Sequence, residues 1–245
     1  MVRGHLTGMA KKRAGPRADH HGGDAEAKGR ADANGGTKQG ADGERNPYVP
    51  AGADLKQLGQ AAKDCKNCDL WERGTQTVFG EGEANSRIML IGEQPGNQED
   101  IEGRPFVGPA GKLLDTALVE AGVDRKRVYV TNAVKHFKWE ARGQRRIHKK
   151  PNMVEISACR PWLEAEIAAM RPKVVVCLGA TAAQALLGRD FRVTQHRGEL
   201  LKSGLAPYVM ATVHPSSILR APDEETRREE MRKFIQDLRK IPALT

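Results

Sequence analysis

Apolar residues fall into two patterns along this chain, short unbroken runs and helical stripes, and the two alternate. Arg87–Ile91, Val128–Thr131, Lys173–Leu178 and Tyr208–Val213 are short segments dominated by β-branched and large aliphatic side chains, the pattern of strands buried on both faces. Between and around them lie stripes spaced three and four apart. Asp54–Asp64 carries Leu55 and Leu58, and Ala110–Glu120 turns Leu113, Leu114, Ala117 and Leu118 to one side, as an amphipathic helix requires. Asn152–Met170, bracketed by Pro151 and Pro172, Thr181–Leu187 and Glu224–Lys240 complete the predicted helices. Gly122, just past the second stripe, suits a helix end. Strands alternating with helices predict a parallel sheet covered on both faces, with ligands at the carboxyl ends of its strands. No segment repeats another.

Composition divides the chain. The first 48 residues hold 10 of the 26 glycines and 3 of the 7 histidines and almost no large apolar side chain. Such a segment cannot bury enough surface to offset its chain entropy, so residues 1–48 are expected to be disordered and residues 49–245 to form one domain. Nine basic and six acidic residues in that first part leave the remainder with +6 of the formal +9. The basic balance favours anionic partners without choosing among nucleic acid, nucleotide and membrane surface. The most apolar stretch, Val174–Gly188, is interrupted by Gly179, Thr181 and Gln184, so no span is expected, and no apolar leader opens the chain. The expectation is a cytoplasmic protein, in which cysteines serve as ligands more often than as disulfides.

Several motifs follow strands. Gly92-Glu93-Gln94-Pro95-Gly96 is a turn whose glycines allow close backbone approach. It has neither the Gly-Lys-Ser/Thr of a phosphate loop nor the spacing of a dinucleotide fingerprint, which disfavours a nucleotide cofactor. Phe106, among the glycines and prolines of residues 105–111, offers a stacking face. Asn132 after the second strand can pair with a base edge through its amide, or tie down its own turn. His214, heading His-Pro-Ser-Ser, is placed either to donate to an oxygen gaining charge or to cap a helix. His148 sits among Arg142, Arg145, Arg146, Lys149 and Lys150: a largely neutral imidazole inside a phosphate-attracting loop, or a solvated basic loop that happens to hold a histidine. Cys65, Cys68, Cys159 and Cys177 are the only cysteines. A Cys-x-x-Cys pair with two distant partners suits an iron–sulfur cluster or zinc, and Cys177, in an apolar strand, equally suits a core thiol.

Taken together, Gly-Glu-Gln-Pro-Gly at 92–96, Pro-Phe-Val-Gly-Pro-Ala-Gly at 105–111, Thr-Asn-Ala-Val-Lys at 131–135 and His-Pro-Ser at 214–216 resemble, in order, the motifs of the uracil-DNA glycosylase superfamily. The cysteine pattern resembles its iron–sulfur branch, family 4, and Gln94 with the Arg-Arg-Ile-His loop resembles the UdgX group. The resemblance covers roughly Leu55 to Lys240. It implies a three-layer α/β/α domain around a four-stranded parallel sheet, and a [4Fe–4S] cluster on Cys65, Cys68, Cys159 and Cys177. Its implied reaction is excision of uracil from DNA, single strands preferred, by a monomer without a nucleotide cofactor. His148 is then expected to join covalently to the abasic sugar, Glu93 to take up or orient its proton and His214 to act near uracil O2. Phe106 would stack on the base and Asn132 read its edge, with Gln94, Gly96 and Arg146 also contacting substrate. Lys135, Lys138, Arg142, Arg145 and Arg146 are expected to hold phosphates. The rivals are a conventional turnover glycosylase and a non-catalytic metal-cluster protein that binds nucleic acid.

Overall fold

A computed structural model describes residues 46–245. The expected disorder of residues 1–48 therefore lies, up to residue 45, outside the described residues. Asn46 already belongs to the fold: it is buried, and its side-chain amide donates to the Ala158 carbonyl at 3.2 Å. The domain boundary thus stands before the one read from composition.

In chain order the elements are Leu55–Ala62 (α1), Leu70–Arg73 (α2), Ile88–Gly92 (β1), Asn97–Glu102 (α3), Pro109–Glu120 (α4), Val128–Asn132 (β2), Trp139–Arg142 (β3) and Arg145–His148 (β4). There follow Met153–Met170 (α5), Val174–Leu178 (β5), Ala180–Leu187 (α6), Val193–His196 (α7), Leu200–Ser203 (β6), Ala206–Thr212 (β7), Pro215–Leu219 (α8) and Glu224–Leu238 (α9). Helix starts are written locally. Asp54 caps α1 and Asn152 caps α5, each in a reciprocal box with the residue three positions on, Gln57 and Glu155. Asp223 caps α9.

The main sheet runs in the order β2-β1-β5-β7-β6. The four predicted strands are parallel, with Ile88 opposite Val128 and Val174, and Val174 opposite Tyr208. The expected four-stranded sheet gains a fifth, antiparallel edge strand, β6, joined to β7 with an irregularity between Leu201 and Ser203. It escaped the sequence pattern because only one of its faces is even half covered.

Alternation along the strands builds two cores. Met89 and Ile91 of β1 point into the layer with α1, α5 and α6, whereas Ile88 and Leu90 point into the layer with α4, α8 and α9. The result is a three-layer α/β/α domain. Every residue of β1, β2 and β5 is buried, so these strands are apolar throughout rather than alternating. Among the described residues no helix is long and apolar enough to cross a membrane.

The basic segment expected as a loop is a two-stranded antiparallel hairpin, β3 and β4, which pairs Trp139 with His148 and Arg142 with Arg145. Gly143 at the turn has φ of +59°, a backbone region open to glycine. No residue of either hairpin strand is buried, so no apolar alternation marked it.

Candidate active site at the carboxyl ends of the strands

The parallel register sets the pocket. Gly92 ends β1 directly opposite Asn132 at the end of β2. A Cβ on residue 92 would lie 2.3 Å from Asn132 Oδ1 and 2.8 Å from Phe106 Cζ, so only glycine leaves the amide and the ring where they are. Phe106 has φ of +58°, a costly backbone for a bulky residue and a frequent mark of functional sites. Gly111 makes that turn possible, since a Cβ there would lie 1.7 Å from the Phe106 carbonyl oxygen. The Phe106 ring stacks with His214, centroids 6.2 Å apart and planes 28° from parallel.

His214 caps α8. Its Nδ1 accepts the Ser216 amide at 3.1 Å, which leaves the proton of the neutral ring on Nε2. Burial, with help from Arg220 and His148, lowers its pKa to about 4. The ring is therefore a neutral donor at physiological pH.

His148, at the end of the hairpin, is half exposed, and its Nε2 is 3.5 Å from Glu93 Oε1. Burial lowers the His148 pKa; Glu93 opposes that shift and Arg220 adds to it. The second Glu93 oxygen accepts the Thr181 hydroxyl from the start of α6. The structure thus brings Glu93, Asn132, Phe106, His148 and His214 to one end of the sheet.

Other expected contacts are committed elsewhere. Gln94 is buried; its amide donates to the Lys149 carbonyl at 2.9 Å and its oxygen accepts the Lys138 amide at 3.1 Å, so it ties the base of the hairpin to β1. The Gly96 amide donates to Glu99 Oε2 at 3.1 Å, and the same carboxylate accepts the Gly108 amide at 2.8 Å. Glu99 so clamps the Gly92 and Phe106 loops together. Arg146, expected at phosphate, instead donates to Asp100 at 2.6 Å, Asn97 at 2.7 Å and Thr75 at 3.1 Å, with its guanidinium 5.5 Å from the Phe137 and Trp139 ring centroids. It fixes the hairpin to α3.

Lys135 is fully buried in an ion pair with Glu166 and donates to Thr131 Oγ1 at 2.7 Å and the Asn132 carbonyl at 2.8 Å. It cannot reach a phosphate, and it braces the strand end that carries Asn132. Lys138 pairs with Glu155 at 2.8 Å. Of the cations read as phosphate contacts, Arg142 and Arg145 are exposed on the hairpin and have no side-chain partner among the described residues.

Thr181, Glu99, Asp100 and Arg220 escaped the reading by motif. Glu99 sits three residues after Gly96, a box spacing that signals a helix start; the others carried no periodic or spacing signal.

Three cysteines meet beside α5. Trp162 Nε1 donates to Cys65 Sγ at 3.2 Å, and the Lys135 amide donates to Cys159 Sγ at 3.2 Å. Cys159 feels the charges of Cys68 and Cys65. N–H donors aimed at sulfur suit thiolates that hold a metal centre. Among the described residues no three His, Cys, Asp or Glu side chains converge as a single ion would require. A cubane cluster takes one ligand at each of four corners and does not need that convergence. Cys177 is not brought to the other three: it lies mid-strand in β5, paired with Ile91 and Ala211, and burial alone raises its thiol to about 12.

A family model described as the uracil DNA glycosylase superfamily matches residues 79–239. The chain belongs to that superfamily. Among its relatives, the type-4 uracil-DNA glycosylase of Sulfurisphaera tokodaii is 37% identical over 77% of this chain and 86% of its own length. That of Thermotoga maritima is 37% identical over 74% of this chain and 95% of its own length. That of Archaeoglobus fulgidus is 36% identical over 78% of this chain and 96% of its own length. The match to the superfamily runs from Phe79, before β1, to just past the end of α9, and so contains the whole strand-end pocket.

Proposed function

We propose that this protein excises uracil from DNA and is captured by its own product through His148. The type-4 relatives support the first half. The observation that carries the second is the Glu93 carboxylate, 3.5 Å from the His148 imidazole, beside the Asn132, Phe106 and His214 pocket.

The target base must leave the stack to enter such a pocket. Single strands avoid the unpairing cost and are the preferred substrate, with Arg142 and Arg145 against the phosphates. Phe106 stacks on the base. The Asn132 amide pairs with uracil through one donor and one acceptor; cytosine presents the reverse and would leave buried polar groups unpaired, at roughly 1–3 kcal/mol each. The bond from N1 to C1′ breaks with its electron pair going to uracil, and the Nε2–H of neutral His214 donates to the oxygen on which charge collects. The sugar is left oxocarbenium-like.

A lone pair of the His148 ring then forms a bond to C1′. The imidazolium so made passes its remaining N–H proton to Glu93, and the neutral alkylated imidazole is a poor leaving group. A positioned ring competes with water through a high effective concentration. The three neighbouring thiols support a [4Fe–4S] cluster on Cys65, Cys68 and Cys159. Such a cluster, when bound, would supply a rigid cross-link between the α1–α2 turn and α5.

The test is a denaturing gel with a uracil-containing single strand, followed by peptide mapping. The expected result is a heat-stable shifted band with the nucleotide on His148, and its loss with continued, multiple-turnover uracil release in His148→Ser. Abasic product in excess over wild-type protein, with no adduct, would establish a turnover enzyme instead. No uracil release at all would leave a nucleic-acid-binding protein.

A further inference from the structure

The strand-end pocket has room for one base of a strand, and the fold offers a second aromatic surface nearby. Trp139 and His148 lie directly opposite in the hairpin, so both side chains leave the same face, with Cβ atoms about 5 Å apart. Trp139 Nε1 donates to the Arg73 carbonyl at 2.8 Å, at the end of α2, the single helical turn that carries Trp71. A continuous path thus runs from the His148 ring to a tryptophan outside the pocket.

That path is rigid. Asp100, fully buried, accepts from the Arg146 guanidinium of the hairpin at 2.6 Å and from the Thr75 amide, two residues past α2, at 2.9 Å. One carboxylate therefore fixes both pieces. Arg146 also stands 5.5 Å from the Trp139 ring centroid.

Trp71 is 38% exposed, whereas Trp162 is fully buried. Packing gives no reason for the exposed indole, because Leu70 already anchors α2 in the core. Lys66 Nζ is 4.7 Å from the Trp71 ring centroid, a cation–π contact that holds the ring in place. Charge alone does not mark the patch: exposed Lys66 and Arg73 are balanced by exposed Asp69 and Glu72. A surface built only for phosphates would carry surplus cations. An exposed ring beside one cation has the makeup of a stacking platform, where the ring takes a base and the ammonium meets its phosphate. A duplex shows such a ring only base edges, so the matching ligand is an unpaired strand.

We propose that Trp71, with Lys66, is a stacking site for an unpaired base flanking the one in the pocket. The protein then holds single-stranded DNA at two points joined through Trp139. This deepens the single-strand reading above and rests on it.

The experiment titrates the full chain with a labelled oligothymidylate of about 16 nucleotides, the upper end of the usual single-strand site. Strand anisotropy reads binding, and tryptophan fluorescence reads stacking. The chain has three tryptophans, and with Trp162 buried, quenching by bases reports Trp71 and Trp139. Expected is quenching by the single strand and none by the same strand annealed to its complement. Trp71→Ala should lose most of the quenching and weaken binding about tenfold, and the loss should persist at high salt. Trp71→Phe, which keeps a stacking face, should recover most of the affinity. Saturation of the wild type without quenching overturns the site, and this measurement decides even where a variant does not fold. Equal quenching by the duplex overturns it too, as does wild-type affinity in Trp71→Ala. A loss that vanishes at high salt would make the contact ionic and overturn stacking. The strand contains no uracil, so failure of base release in a separate assay would remove the glycosylase reading and leave the quenching result standing.

Discussion

Glu93 and His148 come from unrelated pieces of the fold, a loop after a central parallel strand and the last residue of a surface hairpin, yet Oε1 of one is 3.5 Å from Nε2 of the other. The distance is longer than a settled hydrogen bond, and catalytic contacts often tighten only when substrate arrives. Thr181 holds the far oxygen of Glu93, so the carboxylate is aimed. Glu93→Gln keeps the shape and removes the base. Adduct formation in a single-turnover gel assay should slow by about 100-fold, within the usual range for losing a positioned base, while Thr181→Val should give a smaller loss. Unchanged adduct rates in Glu93→Gln would remove that role.

The acid side of the pH profile follows from the two rings. Burial lowers the His148 pKa below its ordinary 6.5, so the ring proposed as nucleophile stays neutral further into acid than a free histidine. Adduct yield measured from pH 8 downward should hold through pH 6.5 and fall only below it. A midpoint at or above 6.5 would contradict the burial of that ring.

Protein stability carries a matching sign. The His214 pKa is about 4 in the folded state against 6.5 for the free side chain. The unfolded chain binds more protons between those values, so the contribution is complete above pH 6.5 and lost as pH falls toward 4. At about 1.4 kcal/mol per unit, the loss amounts to roughly 3 kcal/mol. Denaturant unfolding of His214→Gln beside the wild type should show the acid slope reduced in the variant.

Arg146 and Arg145 are neighbours with opposite assignments. Arg146 is paired with the fully buried Asp100, so Arg146→Ala should cost about 2–3 kcal/mol by leaving that carboxylate without its cation. It should weaken adduct formation with no change in the salt dependence of DNA binding. Arg145→Ala should leave stability alone and lower the slope of log affinity against log salt by about 0.7. Fluorescence anisotropy across a salt series separates the two.

Gly92→Ala should close the pocket without harming the sheet. The added methyl meets Asn132 Oδ1 and Phe106 Cζ at 2.3 and 2.8 Å. Uracil release should fall at least 100-fold with Tm nearly unchanged. Full activity in this variant would mean that the base binds elsewhere.

Glu93, Asn132 and His214 were legible because each closes or follows a predicted strand, and strand ends in a parallel sheet converge; Phe106, between α3 and α4, and His148, on the hairpin, were legible only through their motifs. Four of the strands were legible because double burial makes them apolar along their whole length. The hairpin and β6 were not, since strands with little or no buried face imprint no alternation. Charge misled where it was buried: Lys135 and Arg146 look like phosphate contacts in a basic sequence, and only the positions of Glu166 and Asp100 reveal them as internal braces. Four cysteines invite a set of four by counting, which says nothing of where each lies; Cys177 lies mid-strand in β5, opposite Ile91 and Ala211.

The way the hairpin is tethered bears on transplanting its chemistry. Gln94 grips both of its legs, and Arg146 bolts its inner strand to Asn97, Thr75 and Asp100. Moving residues 139–148 alone into a related scaffold would deliver a histidine on a loose arm. A graft that carries Gln94, Asn97, Asp100 and Thr75 with it would deliver a histidine on a fixed one, so the proposed capture of the sugar would depend on the mounting that travels with the ring.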